Sequence, residues 1–134
     1  MHKDFDRWNK VKKAIETNSK NKNVHDGRFY WCTIGLNIGS EENGKDLFFR
    51  RPIFLFKKID YFKCLVIPLT TSSRKYKNKK RLGFIKGRKN FMLLDQIRII
   101  DTKRILNEII SHESQSRKAT KTVLEFLDGL RKSL

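Results

Sequence analysis

Arg51 stands immediately before Pro52 at the head of the apolar run Pro52–Lys57, a pairing suited to phosphate chemistry. A guanidinium is a planar fork that can hold two phosphate oxygens at once, which a lysine cannot do. Proline fixes the backbone behind it, and a rigid element is where a catalytic cation should be mounted. Arg50, next door, points the other way along a strand and reads as a solvated side chain. Thr70, Thr71 and Ser72 close the apolar run Leu65–Leu69. Any of the three hydroxyls there can reach a phosphate or a ribose 2′-hydroxyl, and strand alternation does not choose among them. Nine Lys and Arg residues then crowd Arg74–Lys89, and Thr70–Asn90 contains no acid. With Tyr76 and Phe84 interleaved, this segment suits a groove that tracks a phosphate backbone and stacks bases on rings. Two carboxylates complete the set. Glu41 follows Gly39-Ser40 in a glycine-punctuated loop, where it can act as a base, orient Arg51 or stand as a solvated carboxylate. Asp95 stands beside Gln96, polar where an apolar residue would be expected.

The remaining chemistry-bearing residues exclude other classes. His2 is terminal, His25 lies in a linker turn and His112 near the last helix, so no two share an element as a histidine-pair nuclease would need. No His/carboxylate cluster has the spacing of a metal site, and neither a metal nor another cofactor is expected. Cys32 and Cys64 lie inside apolar runs without a CxxC pair and read as buried thiols.

The charge balance points the same way. Among 134 residues, 31 Lys and Arg face 14 Asp and Glu, a formal net charge of +17. So large an excess implies a polyanionic partner, nucleic acid ahead of an anionic membrane surface, although a genome biased toward Lys and Asn would also enrich lysine. No run approaches the roughly twenty apolar residues of a membrane span, and Met1–Lys20 lacks the apolar centre of a secretory signal. A cytoplasmic protein is expected, with no membrane partner.

The elements that must position these groups follow from periodicity. Phe5, Trp8, Val11, Lys12 and Ile15 recur at helical steps behind the potential cap Asp4, and a polar linker, Thr17–Asn23, ends that helix. Strands are predicted at Arg28–Ile34, Pro52–Lys57, Lys63–Leu69, Leu82–Lys86 and Phe91–Ile100, with a long loop at Gly35–Phe48 and a turn at Gly87. The near-continuous apolar runs suit central strands. A final helix carries Ala119, Val123, Phe126, Leu127, Leu130 and Leu134 on one face, with Ser116 as its cap. The order is α+β: a small twisted barrel-like sheet with helices outside.

The runs Trp31-Cys-Thr-Ile-Gly35-Leu-Asn-Ile-Gly39-Ser-Glu41, Arg51-Pro52, Pro68-Leu-Thr70-Thr71-Ser72, and Leu94-Asp95-Gln96-Ile97-Arg98-Ile-Ile100-Asp101 with Lys103-Arg104-Ile105 resemble, in order, the motifs of the PemK/MazF toxin family. The resemblance implies an SH3-like β-barrel with a C-terminal helix at residues 23–134, preceded by a helical extension and linker at residues 1–22. It implies the toxin of a type II toxin–antitoxin system: a homodimer that cleaves single-stranded RNA sequence-specifically without metal, through 2′-hydroxyl attack, and is neutralised by a cognate antitoxin protein. On this resemblance Arg51 stabilises the phosphorane and Thr70 is the matched hydroxyl. Glu41 and Asp95 are the candidates for proton transfer, and Asp95 alternatively serves as a structural acceptor. Ser72, Arg74, Lys75, Lys77, Gln96 and Arg98 are the residues expected to bind RNA. Two alternatives stay open: a basic barrel that holds nucleic acid without cutting it, and a CcdB-like toxin aimed at a protein.

Overall fold

A computed structural model describes residues 3–35, 37, 43–45, 49–75 and 77–134. The chain opens with helix α1 (Phe5–Asn18), capped by the Asp4 carboxylate, which accepts from Arg7 N at 2.9 Å. Only Trp8 of this helix is buried. Among the described residues seven strands follow: β1 (Arg28–Thr33), β2 (Arg50–Lys58), β3 (Lys63–Thr70), β4 (Lys79–Ile85), β5 (Arg88–Leu93), β6 (Arg98–Asp101) and β7 (Ile105–Ile109), with helix α2 (Glu113–Lys132) last. No helix among the described residues is long and apolar enough to cross a membrane.

The strands form one antiparallel sheet in the order β4-β5-β3-β2-β1-β7, with β6 pairing the first half of β3. The expected α+β, barrel-like architecture is present, but the sheet is not closed: β4 and β7 end it. Two apolar layers explain why the central runs are nearly unbroken. Phe29, Phe54, Ile67, Leu69 and Met92 pack under Ala119 and Val123 of α2. On the opposite face Tyr30, Cys32, Ile53, Leu55, Cys64 and Val66 gather with Ile100 and Ile105. Strands β1 to β3 are therefore buried on both sides, and truncating a side chain such as the fully buried Phe54 to alanine costs about 3–5 kcal/mol.

Three expectations are corrected. The strand predicted over Phe91–Ile100 is two strands separated by a 3₁₀ turn at Leu94–Gln96, so Asp95 is not mid-strand. That turn buries Leu94 and exposes Asp95, satisfying the apolar pattern without a continuous ladder. Strand β7 was not anticipated. Nor does Ser116 cap the last helix: His112 does, its N–H donating to Gln115 Oε1 at 3.1 Å. The Ser116 hydroxyl instead donates to the Gly27 carbonyl at 2.5 Å, fastening the start of α2 to the entry of β1. The turn after β4 is made by Lys86 and Gly87, both at positive φ (50° and 75°), the pairing that a tight two-residue hairpin requires.

Candidate active site

Arg51 and Thr70 occupy neighbouring central strands. The β2–β3 register sets Ile53 opposite Pro68, so two residues further along each strand Arg51 comes level with Thr70. Both are buried, Arg51 4% and Thr70 6% exposed. Both line the same cleft, of about 400 Å³, at the end of the sheet. The Arg51 guanidinium is fixed by backbone: Nε donates to the Asn43 carbonyl at 2.8 Å and Nη1 to the Leu69 carbonyl at 3.0 Å. These two carbonyls orient the fork. The Thr70 hydroxyl accepts from Ser72 N at 3.1 Å, which turns the chain sharply out of β3.

The walls come from several elements. Trp31 of β1 and Ile109 of β7 supply an apolar side. Arg50, Lys45 and the β4–β5 turn, with Lys86, Arg88 and Asn90, supply the rest. Among the described lining residues five are cationic (Lys45, Arg50, Arg51, Lys86 and Arg88) and none is an acid or a histidine. The described lining is therefore rich in positive charge, which suits an anionic ligand. Arg50, read as a solvated neighbour, is exposed and also part of this rim.

The other expected residues fall elsewhere. Glu41 lies outside the described residues, as does Tyr76. Ser72, Arg74, Lys75, Lys77, Asp95, Gln96 and Arg98 do not line the cleft. Ser72, Arg74, Lys75 and Lys77 follow directly on Thr70, whereas Arg98 pairs with Val66 in the first half of β3 and lies near Arg104. Lys79 Nζ donates to the carbonyls of Ser72 and Arg74 and lies 4.7 Å from the Phe91 ring centroid, which ties the basic segment down onto β5. Asn78 accepts from Leu94 N at 3.0 Å, which brings the Asp95–Gln96 turn against the same segment. Lys86 and Arg88 belong to the basic segment already read as a groove, with Asn90 just beyond it, whereas Lys45 was not expected here. The signal for the first three was the Lys86-Gly87-Arg88 turn, whose glycine folds a cationic pair back toward the sheet.

Comparison with known proteins begins with two blanks: no family model matches the chain, and no curated protein matches it. Solved structures do. The crystal structure of MazF (form I) from Deinococcus radiodurans superposes with a TM-score of 0.60 at 19% identity, covering 80% of this chain and 99% of that one. An endoribonuclease in complex with its cognate antitoxin, from a mycobacterial species, gives a TM-score of 0.57 at 14% identity, covering 81% and 97%. The fold of this chain is the PemK/MazF-type toxin fold.

Proposed function

We propose that this chain is the toxin of a type II toxin–antitoxin pair, a metal-independent endoribonuclease that cuts single-stranded RNA through attack of a ribose 2′-hydroxyl. The observation that carries the reading is the backbone-anchored guanidinium of Arg51 beside the Thr70 hydroxyl, in a cleft whose described lining bears five cations and no acid. That arrangement suits a reaction whose transition state adds negative charge to a phosphate. A preorganised donor then stabilises the phosphorane without first having to reorganise. Arg51 takes that role, and the Thr70 hydroxyl positions the attacking or leaving oxygen. The proton of the 2′-hydroxyl goes to a base delivered by the loop before Asn43, for which Glu41 is the candidate, while the phosphorus–oxygen bond to the 5′ oxygen breaks and that oxygen takes a proton from Arg51 or water. Bases beyond the cut would run along an adjoining rim from Ser72 and Arg74 through Lys75 and Lys77 to the Asp95–Gln96 turn, with Asp95 assisting proton transfer only if RNA draws that turn inward.

The working form is a homodimer, and the partner that restrains it is a cognate antitoxin protein, by analogy with the antitoxin complex of the mycobacterial endoribonuclease. The deciding experiment incubates the purified chain with a long unstructured RNA in excess EDTA and identifies the new ends by mass spectrometry. A 2′,3′-cyclic phosphate paired with a free 5′-hydroxyl is expected, and Arg51→Ala should abolish the cut. Tight RNA binding with no cleavage would instead leave a non-catalytic module. Light scattering at micromolar concentration should give twice the chain mass.

A further inference from the structure

Helix α1 contributes no residue to the cleft, yet its one buried side chain sits at the root of the segment that holds Arg51. The Trp8 ring packs edge-on against Phe49, with ring centroids 5.6 Å apart. It also fills the space over Gly35, where a Cβ would be driven into the indole. Gly35 and Phe49 are the two ends of the β1–β2 connection, and they are clamped together: Phe49 O accepts from Ile34 N at 3.0 Å and from Gly35 N at 3.2 Å. From this clamp the chain passes to Arg51 by two short routes. Gly44 N donates to Gly35 O at 2.8 Å, which places Asn43, whose carbonyl receives Arg51 Nε. Lys45 N donates to Arg50 O at 3.1 Å, pinning the same turn to the first residue of β2.

Phe49 itself is held at φ 56°, a left-handed conformation that costs a side-chain-bearing residue energy and persists only where its surroundings enforce it. Trp8 supplies that enforcement from one side and the Ile34 and Gly35 amides from the other. Two more ties hold the helix in place. Lys3 Nζ donates to Asn37 O at 2.6 Å, and Arg104, which donates to the carbonyls of Thr33 (3.3 Å) and Ile34 (3.1 Å), lies with its guanidinium carbon 5.7 Å from the Trp8 ring centroid.

We infer that Trp8 is a positioning residue for Arg51, acting through Gly35, Phe49 and the Asn43 carbonyl, so that α1 is a brace for the cleft. The catalytic part of this inference rests on the reading of Arg51 given above. The geometric part does not. If the brace works this way, losing it leaves RNA capture by the cleft cations intact while the guanidinium drifts, and a misplacement of about 1 Å is enough to cost up to about 10²-fold in rate.

The test uses the full chain with Trp8→Ala and Trp8→Phe. Trp8→Ala should lower kcat about 10- to 100-fold with KM changed less than about twofold, and Trp8→Phe, which keeps a ring over Gly35, should recover most of the rate. Independently of activity, the Arg51 Nε–H resonance, assigned by its loss in Arg51→Lys, should exchange with solvent at least about tenfold faster in Trp8→Ala. A rise in KM with kcat unchanged, or wild-type kcat with unaltered exchange, overturns the inference. If Trp8→Ala does not fold, Trp8→Leu, which keeps apolar bulk but no ring over Gly35, takes its place, and wild-type kcat with unaltered exchange in that variant also overturns the inference. Should the wild type cut no RNA, the functional reading fails but the exchange measurement still decides the brace.

Discussion

Nη1 of Arg51 donates to the carbonyl oxygen of Leu69 at 3.0 Å, so the cation is fastened to the very strand that ends in Thr70. One side chain therefore serves two ends, linking β2 to β3 and charging the cleft, and its removal should be felt in both. Arg51→Ala leaves the Leu69 and Asn43 carbonyls without this donor and should destabilise the fold by about 1–3 kcal/mol in urea denaturation. Cleavage should fall by about 10²–10³. Arg51→Lys should keep most of the RNA affinity and still lose most of the rate, because a point charge cannot reproduce the fork. Near-wild-type cutting by Arg51→Ala would remove the residue from the chemistry.

Thr70 separates hydroxyl from shape. Thr70→Val keeps the branched side chain in its buried place while deleting the acceptor of Ser72 N, an amide next to solvent that water can satisfy. Its unfolding midpoint should move little, while turnover drops by about 10²-fold and Thr70→Ser restores it. Equal activity of the Val and wild-type forms would assign Thr70 to structure alone.

Salt dependence should map the RNA path. If all five cleft cations meet phosphates, log affinity against log salt should fall with a slope of about −3.5, at about −0.7 per contact. Arg88→Ala should flatten the slope by about 0.7 on any RNA that enters the cleft. Arg74→Ala should do so only on an oligonucleotide long enough to reach the adjoining rim, not on a trinucleotide.

The buried thiols carry a pH signature. Burial pushes Cys32 up to about 12 and Cys64 up to about 11, from an ordinary value near 9.0. A thiol held neutral in the fold but free to ionise when unfolded adds stability below pH 9, and that contribution is lost as pH rises toward 11 and 12. Unfolding free energy should therefore decline above pH 9, and Cys32→Ala should show a shallower decline between pH 9 and 10, below the range where the buried Tyr30 hydroxyl, also raised by burial, adds to it. A thiol reagent at pH 8 should label neither cysteine until denaturant is added.

The ends of two apolar runs pointed to Arg51 and to the hydroxyls of Thr70, Thr71 and Ser72, and only the family resemblance singled out Thr70; the structure brings Arg51 and Thr70 to one cleft. Strand β7 was hidden for a physical reason: its two buried residues, Ile105 and Ile109, are four apart, a helical spacing. Asp95 was misplaced because over three residues a 3₁₀ turn and a strand bury apolar side chains in much the same pattern. Lys86 and Arg88 were indistinguishable from the rest of the basic segment until the Lys86-Gly87 turn brought them to the cleft of Arg51. What Trp8 touches was not legible at all, since helical periodicity says that a face is buried but never against what. Its partners Phe49 and Arg104 are distant along the chain.

Strand β4 ends the sheet, and among the described residues no strand pairs with its outer edge, although the Phe84 carbonyl accepts from Gln115 Nε2 of α2. An open row of backbone donors and acceptors beside the exposed ring of Phe84 invites a second chain to add a strand. Here the invitation is refused by exposed Lys80 and Arg81 and by a bulge at Arg81–Gly83 that twists the edge away. The charge suited to an RNA strand thus also guards against self-association. Stripping the segment of its charge to abolish RNA binding would expose that edge, so a loss of activity in such a variant has to be separated from loss of the soluble chain.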